Sequence, residues 1–273
     1  MSKIAVVKVG GDVLLDVNER EGLAANIKDL IDNQWQVVVL HGGGPQVNTL
    51  QEKHGLIPNK VAGRRITSKA DLLVVEQAIA GEVNVNLTAE LQKKGVNAFG
   101  CHGASGKLIQ ANKRPPVVVT GGGDEPIDFG EVGDVVAINH DLLKGLLELD
   151  VTPVIATLGI SNKGDIYNIN ADTTVVQIAA ALKADLLLLT TAVGAVFKDI
   201  NDPDSRIKQI NPAQAKELIA EGIIQGGMIP KIEEAMKLLE QGVNSIAIVS
   251  GSHTGAFISV ANQQGDFGTL LKS

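Results

Sequence analysis

Two lysines, one aspartate and three glycine-rich stretches carry the chemistry open to this sequence. Lys8 closes an apolar run, with Gly10-Gly11 just beyond it. His41-Gly42-Gly43-Gly44-Pro45-Gln46-Val47-Asn48 follows the β-branched run Val37-Val38-Val39-Leu40, and Gly226-Gly227-Met228-Ile229-Pro230-Lys231 again joins glycines, a proline and a lysine. Glycine lets a ligand approach the main chain closely. Proline suits the first turn of a helix, and a helix N-terminus offers unpaired N–H groups and partial positive charge to an anion. Phosphoryl transfer asks for such fixed donors and cations, because its charge develops on the equatorial oxygens. Any one stretch alone reads better as a plain turn, with a nearby lysine merely solvated. Three in one chain favour a phosphate-handling site.

Other residue types fit a small anionic substrate. Arg64 and Arg65 lie among apolar residues in Val61–Thr67. A guanidinium fork can hold a carboxylate through two parallel hydrogen bonds, although either arginine also reads as a surface charge. Asn168-Ile169-Asn170-Ala171-Asp172-Thr173-Thr174 immediately precedes an apolar helix over Val175–Leu182. Asp172 and its neighbours can cap that helix, and a capping carboxylate can also orient a lysine. His41 reads as a packed residue, not a base. His102 has no Cys or His partners at metal-ligand spacing. The P-loop pattern, the protein-kinase motif set and a G-x-G-x-x-G after a strand are all absent.

The elements that must position these residues alternate. Strands are predicted over Ile4–Val9, Val37–Leu40, Val96–Gly100, Val135–Ile138, Thr152–Ala156 and Asp185–Thr190, with Ser245–Val249 the last clear core strand. Helices are predicted over Asn18–Gln34, from Pro45 to about Gly55, and over Asp141–Leu149 and Ala213–Glu221, with another running from the 226–231 loop to Leu239. Ser68–Lys94 reads as two helices broken near Gly81, Ser68 capping the first. Leu108-Ile109 and Val117–Val119 suggest a hairpin region, and Gly159–Asn168 a second hairpin. Such βαβα order builds a layered sheet covered by helices. The 273 residues, 44% apolar and 20% charged, suffice for one large α/β domain or two joined lobes. A net charge of −7 argues against nucleic acid as a partner. The single Cys101 fits a reducing cytosol. No signal peptide or membrane-length apolar run is visible.

Taken together, in order and over nearly the whole chain, Lys8-Val9-Gly10-Gly11, His41–Asn48, Gly63-Arg64-Arg65-Ile66-Thr67, Asn168–Asp172 and Gly226–Lys231 resemble the N-acetylglutamate kinases of the amino acid kinase family. The resemblance implies a single domain over 1–273, a three-layer αβα sandwich around an open, mostly parallel sheet. An N-terminal lobe (about 1–170) would bind acetylglutamate and a C-terminal lobe (about 171–273) ATP. It implies phosphorylation of the side-chain carboxylate of N-acetyl-L-glutamate, the second step of arginine biosynthesis, in the cytoplasm. Lys8 and Lys231 would stabilise the transferring phosphoryl and leaving phosphate, Asp172 would hold both lysines, and Gly11 would add a backbone donor. Gly43, Gly44, Arg65, Asn168 and Asn170 would bind the acceptor. Thr191, Ala192, Val193, Gly194, Ala195, Val196, Ile223, Ile224, Gln225 and Met228 would bind the nucleotide. Magnesium would sit on the ATP phosphates, with no protein metal ligand required. A first strand beginning at Lys3 leaves out the extra N-terminal helix of arginine-inhibited members, which implies a homodimer insensitive to arginine. Thr191 and Ser105 depart from the family, which commonly has acidic residues there. A sister kinase for another acidic acceptor, such as an aminoadipate derivative, and a non-catalytic sensor are the competing readings.

Overall fold

Apolar runs become strands where their β-branched residues cluster, and glycines mark where strands give way to helices. The structure, a computed structural model, describes residues 2–119, 121–226, 228–240 and 243–272. β1 (Lys3–Val9) leads through α1 (Val17–Asp32) to β2 (Trp35–His41), and the three glycines open into α2 (Gly44–Lys53). The hairpin of β3 (Lys60–Val61) and β4 (Arg64–Arg65) precedes α3 (Lys69–Val75) and α4 (Asn84–Lys93). Next come β5 (Ala98–His102), β6 (Ile109–Lys113), β7 (Gly133–Ile138), α5 (His140–Glu148) and β8 (Thr152–Ala156). β9 (Leu158–Ile160) and β10 (Ile166–Asn168) form the expected hairpin before α6 (Ala171–Leu182) and β11 (Leu186–Thr190). The chain closes with β12 (Gln209–Ile210), α7 (Pro212–Ala220), α8 (Met228–Glu240), β13 (Ile246–Val249), α9 (Ala256–Ala261) and β14 (Thr269–Leu271).

The main sheet has eight strands in the order β12-β14-β13-β11-β1-β2-β8-β5. Its pairs are parallel except β13 with β14. A smaller sheet, β10-β9-β6-β7, stands beside it. A parallel sheet is buried on both faces, so its strands read as continuous apolar runs. Ala5, Val7 and Val9 pack with α1, α4 and α9 through Leu23, Leu87 and Phe257. Val6, one residue out of step, packs on the other face with Val175 and Ile178 of α6 and Ile232 of α8. Side chains alternate along a strand, so Lys8 shares Val6's face and emerges toward α6 and α8. Period two alone thus aims the first lysine.

Three sequence expectations are corrected. Ser68 caps its helix through a reciprocal bond with Asp71, but the helix does not break at Gly81. It continues into α4 through π-helical turns over Glu76–Val83, because Ala78, Ile79 and Val83 are held in the core. Leu108-Ile109 does not form a hairpin with Val117–Val119. Pro115 and Pro116 lack N–H donors and end that strand, so β6 pairs with β7 while Val117 bridges Ile127. Ser245–Val249 is not the last strand in the sheet: β14, only three residues long, adds antiparallel to β13.

Candidate active site

The C-terminal ends of β1 and β2, the hairpin β3-β4 and the start of α6 enclose a cleft of about 1000 Å³. Lys8, Gly11, Gly43, Gly44, Arg65, Asn168, Asn170, Asp172 and Lys231 all line it. The residues expected to bind nucleotide do not. Thr191–Val196 follow β11, with Ala195 and Val196 buried, while Ile224 sits in the core and Gln225 is exposed. Gly227 of the second glycine loop lies outside the described residues.

Asp172 is the hub. One of its carboxylate oxygens lies 2.9 Å from Lys8 Nζ and 3.5 Å from Lys231 Nζ. Asn170, not Asp172, caps α6: its side chain accepts from the Thr173 N–H at 3.0 Å. Asp172 is therefore free to serve the lysines from the first turn, where a carboxylate suits the helix dipole. Burial opposes its charge, yet the two ammonium groups hold the Asp172 carboxyl below its ordinary value. Lys231 stands in the first turn of α8, a position that the dipole disfavours for a cation and that Asp172 compensates. Two ammonium charges on one carboxylate leave the centre with a net positive charge.

The backbone around Lys8 is fixed by side chains. Thr190 Oγ1 donates to the Lys8 carbonyl at 3.0 Å and accepts from the Gly10 N–H at 3.3 Å. Gln46 Nε2 donates to the Gly11 carbonyl at 2.9 Å, tying the first glycine loop to α2. Gly11 is glycine because the loops touch: a Cβ there would stand 2.8 Å from Pro45 Cδ and 3.1 Å from Gly44 N. A Cβ at Gly44 would meet no protein atom within 4 Å, so that position opens on the cleft.

Arg64 and Arg65 follow strand alternation. Arg64 is exposed at the rim, whereas Arg65 is half-buried and reaches Asn48, Gln51 and the Gly44 carbonyl. Among the described residues Arg65 makes no ion pair, while Arg114 in the same cleft is paired with Asp134. Arg65 thus keeps a charge and spare donors for a ligand carboxylate. Asn168 Nδ2 donates to Thr67 Oγ1, which sets its amide on the cleft wall. The departures from the family pattern keep local turns: Thr191 Oγ1 accepts from Gly194 N–H and Ser105 Oγ from His102 N–H. Cys101 is buried, and burial pushes its thiol up to about 12, so it offers no thiolate.

Thr190 and Asn84 were not singled out by sequence, and Gln46 stood only as part of the glycine motif, without its bond to Gly11. Thr190 shows one signal in hindsight, a hydroxyl ending an otherwise apolar run. Asn84 shows another, an amide on a stripe with Val83, Leu87 and Leu91.

A model of the amino acid kinase family matches residues 3–250. The chain belongs to the amino acid kinase family. An acetylglutamate kinase of Anaeromyxobacter dehalogenans is 43% identical to it over 270 residues, covering 99% of this chain and 100% of that one. The acetylglutamate kinase of Methanocaldococcus jannaschii is 38% identical over 270 residues, covering 98% and 90%. A crystal structure from Streptococcus mutans shares 32% identity and a TM-score of 0.76, covering 100% of this chain and 99% of that one. N-acetylglutamate synthase from Neisseria gonorrhoeae, complexed with coenzyme A and N-acetyl-glutamate, reaches a TM-score of 0.80 at 22% identity, a likeness of fold covering 99% of this chain and 59% of that one. The expected three-layer fold and amino acid kinase membership are therefore both found.

Proposed function

We propose that this amino acid kinase transfers the γ-phosphoryl group of ATP to the side-chain carboxylate of N-acetyl-L-glutamate, within arginine biosynthesis. The observation that carries the reading is Asp172 joined to Lys8 and Lys231 in the cleft that Gly11, Gly43 and Gly44 also line. An acceptor carboxylate oxygen attacks the γ-phosphorus as the bond to the β-phosphate oxygen breaks, releasing ADP. No proton moves, so no general base is needed. Lys8 and Lys231 neutralise charge on the transferring group, and Asp172 keeps their separation fixed. N–H groups of Gly11, Gly43 and Gly44 donate to phosphoryl and acceptor oxygens. Arg65, Asn168 and Asn170 hold the acceptor's α-carboxylate end.

The acceptor lies with the N-terminal lobe and the nucleotide with the C-terminal lobe, along Thr191–Val196, Ile223–Gln225 and Met228. Magnesium fits best on the ATP phosphates. Asp172 is engaged by two ammonium groups, and magnesium is commonly held largely by substrate phosphates and water. Cytoplasmic localisation accords with the single buried thiol. A homodimer accords with Phe99 on edge strand β5 and Val85 on neighbouring α4, both left solvent-exposed.

ADP release by the purified chain, measured over a panel of acyl-amino acids, tests the assignment. N-acetylglutamate should be the preferred acceptor. Preference for an aminoadipate derivative would make it a sister kinase, and no turnover with any acceptor would make it a sensor.

A further inference from the structure

Outside the reacting groups, one buried titratable side chain among the described residues touches the glycine loop. His41 ends β2 immediately before the three glycines and is fully buried. Its Nδ1 lies 2.9 Å from the Gly42 carbonyl oxygen, and its Nε2 lies 2.8 Å from the Asn84 amide nitrogen. That nitrogen also lies 2.9 Å from the Val154 carbonyl and 3.2 Å from the Cys101 carbonyl, its two hydrogens shared among three acceptors, so the NH₂ end of Asn84 faces the ring. Nε2 therefore accepts, and Nδ1 carries the proton and donates to Gly42. Burial pushes the imidazole down to about 4, so the ring is neutral at pH 7 and has one donor to give.

The consequence follows from peptide geometry. A trans peptide is planar, and its C=O and N–H point in opposite directions. With the Gly42 carbonyl turned to the buried ring, the Gly43 N–H of the same peptide turns the other way, toward the cleft that both glycines line. Among the described residues that N–H finds no acceptor. A peptide between two glycines has the least steric resistance to flipping, so its direction needs an outside hold. We infer that His41 is a positioning residue for phosphoryl transfer, aiming the Gly43 N–H at the substrate anion by holding the Gly42 carbonyl. The inference rests on the reading that this loop binds the acceptor.

Two substitutions split the ring's functions. Asn in place of His41 keeps a donor near the Nδ1 position. Gln keeps an acceptor near Nε2 but loses the donor to Gly42. His41→Gln should lower kcat/KM for acetylglutamate by about 10–100-fold, as expected when one anion donor is misdirected, with the KM for ATP moving by less than about threefold. His41→Asn should recover most of that loss. Equal losses in the two variants, in step with Tm, would reduce His41 to a packing residue and overturn the inference, as would parental kinetics in both. Gly44→Ala, which meets no protein atom, separates the levels. If it leaves acceptor kinetics unchanged, the loop reading fails and the inference with it; if it impairs them while His41→Gln is harmless, this inference alone fails.

Discussion

At the scale of single residues, the proposed function asks most of Lys8 and Lys231, two cations that share one carboxylate. Lys8→Ala and Lys231→Ala should each lower kcat by about 10²–10³-fold, the range for losing one fixed charge-stabilising group, with smaller changes in KM. A variant that raised only KM would be removed from the chemistry. Arg65→Ala should weaken acetylglutamate by on the order of 2–5 kcal/mol, because a buried charge pair is lost, and leave ATP nearly untouched. Arg64, exposed on the opposite side of β4, is the control in the same titration. These residues were legible because their types are unusual where they stand: a lysine at a buried strand end, an arginine fork among apolar neighbours. Thr190 and Gln46 were not legible, because their work is to hold main-chain atoms of segments distant in sequence.

At the scale of elements, two loops touch where β1 meets α2, and the two glycines there have different reasons. Gly11→Ala drives a Cβ against Pro45 and the Gly44 nitrogen. It should cost about 1–3 kcal/mol, as overpacking does, and lower Tm as well as activity. Gly44→Ala should leave Tm unchanged or slightly raised, since Ala favours a helix, and should impair only turnover. Thermal melts beside kinetics separate the two. His41, at the end of β2, gives the pH dependence. Its folded-state value is depressed from 6.5 to about 4 by burial. The unfolded chain therefore binds the proton first as pH falls. The stability His41 confers is complete above pH 6.5 and is lost progressively toward pH 4. Melting curves across that window should slope for the parent and flatten in His41→Asn. Strands and amphipathic helices of this layer were readable from period and propensity. The π-helical passage over Glu76–Val83 and the β6-β7 pairing were not, since tertiary packing and two prolines decided them.

At the scale of the whole molecule, one eight-stranded sheet carries the strands whose ends open on the cleft. β1, at its centre, places Lys8 between the glycine loop after β2 and the segment after β11. The sequence revealed this architecture through its alternation of strands and helices, and the continuous apolar runs marked strands buried on both faces, whereas the strand order came only from the structure. Nor did the sequence reveal that Thr191–Val196 and Ile223–Gln225 lie outside the lining of the cleft, because only folding sets that placement. Light scattering should give twice the 28.6 kDa chain if the face of β5 and α4 pairs two copies, and a monomer would contradict that assembly. The central claim is that a carboxylate is phosphorylated here. An acyl phosphate reacts with hydroxylamine to give a hydroxamate. Incubating the chain with ATP, magnesium, N-acetyl-L-glutamate and hydroxylamine should therefore yield the side-chain hydroxamate, one per ADP formed, and Lys8→Ala should suppress it. ADP formation without hydroxamate, or hydroxamate yield unaffected by Lys8→Ala, would contradict the account.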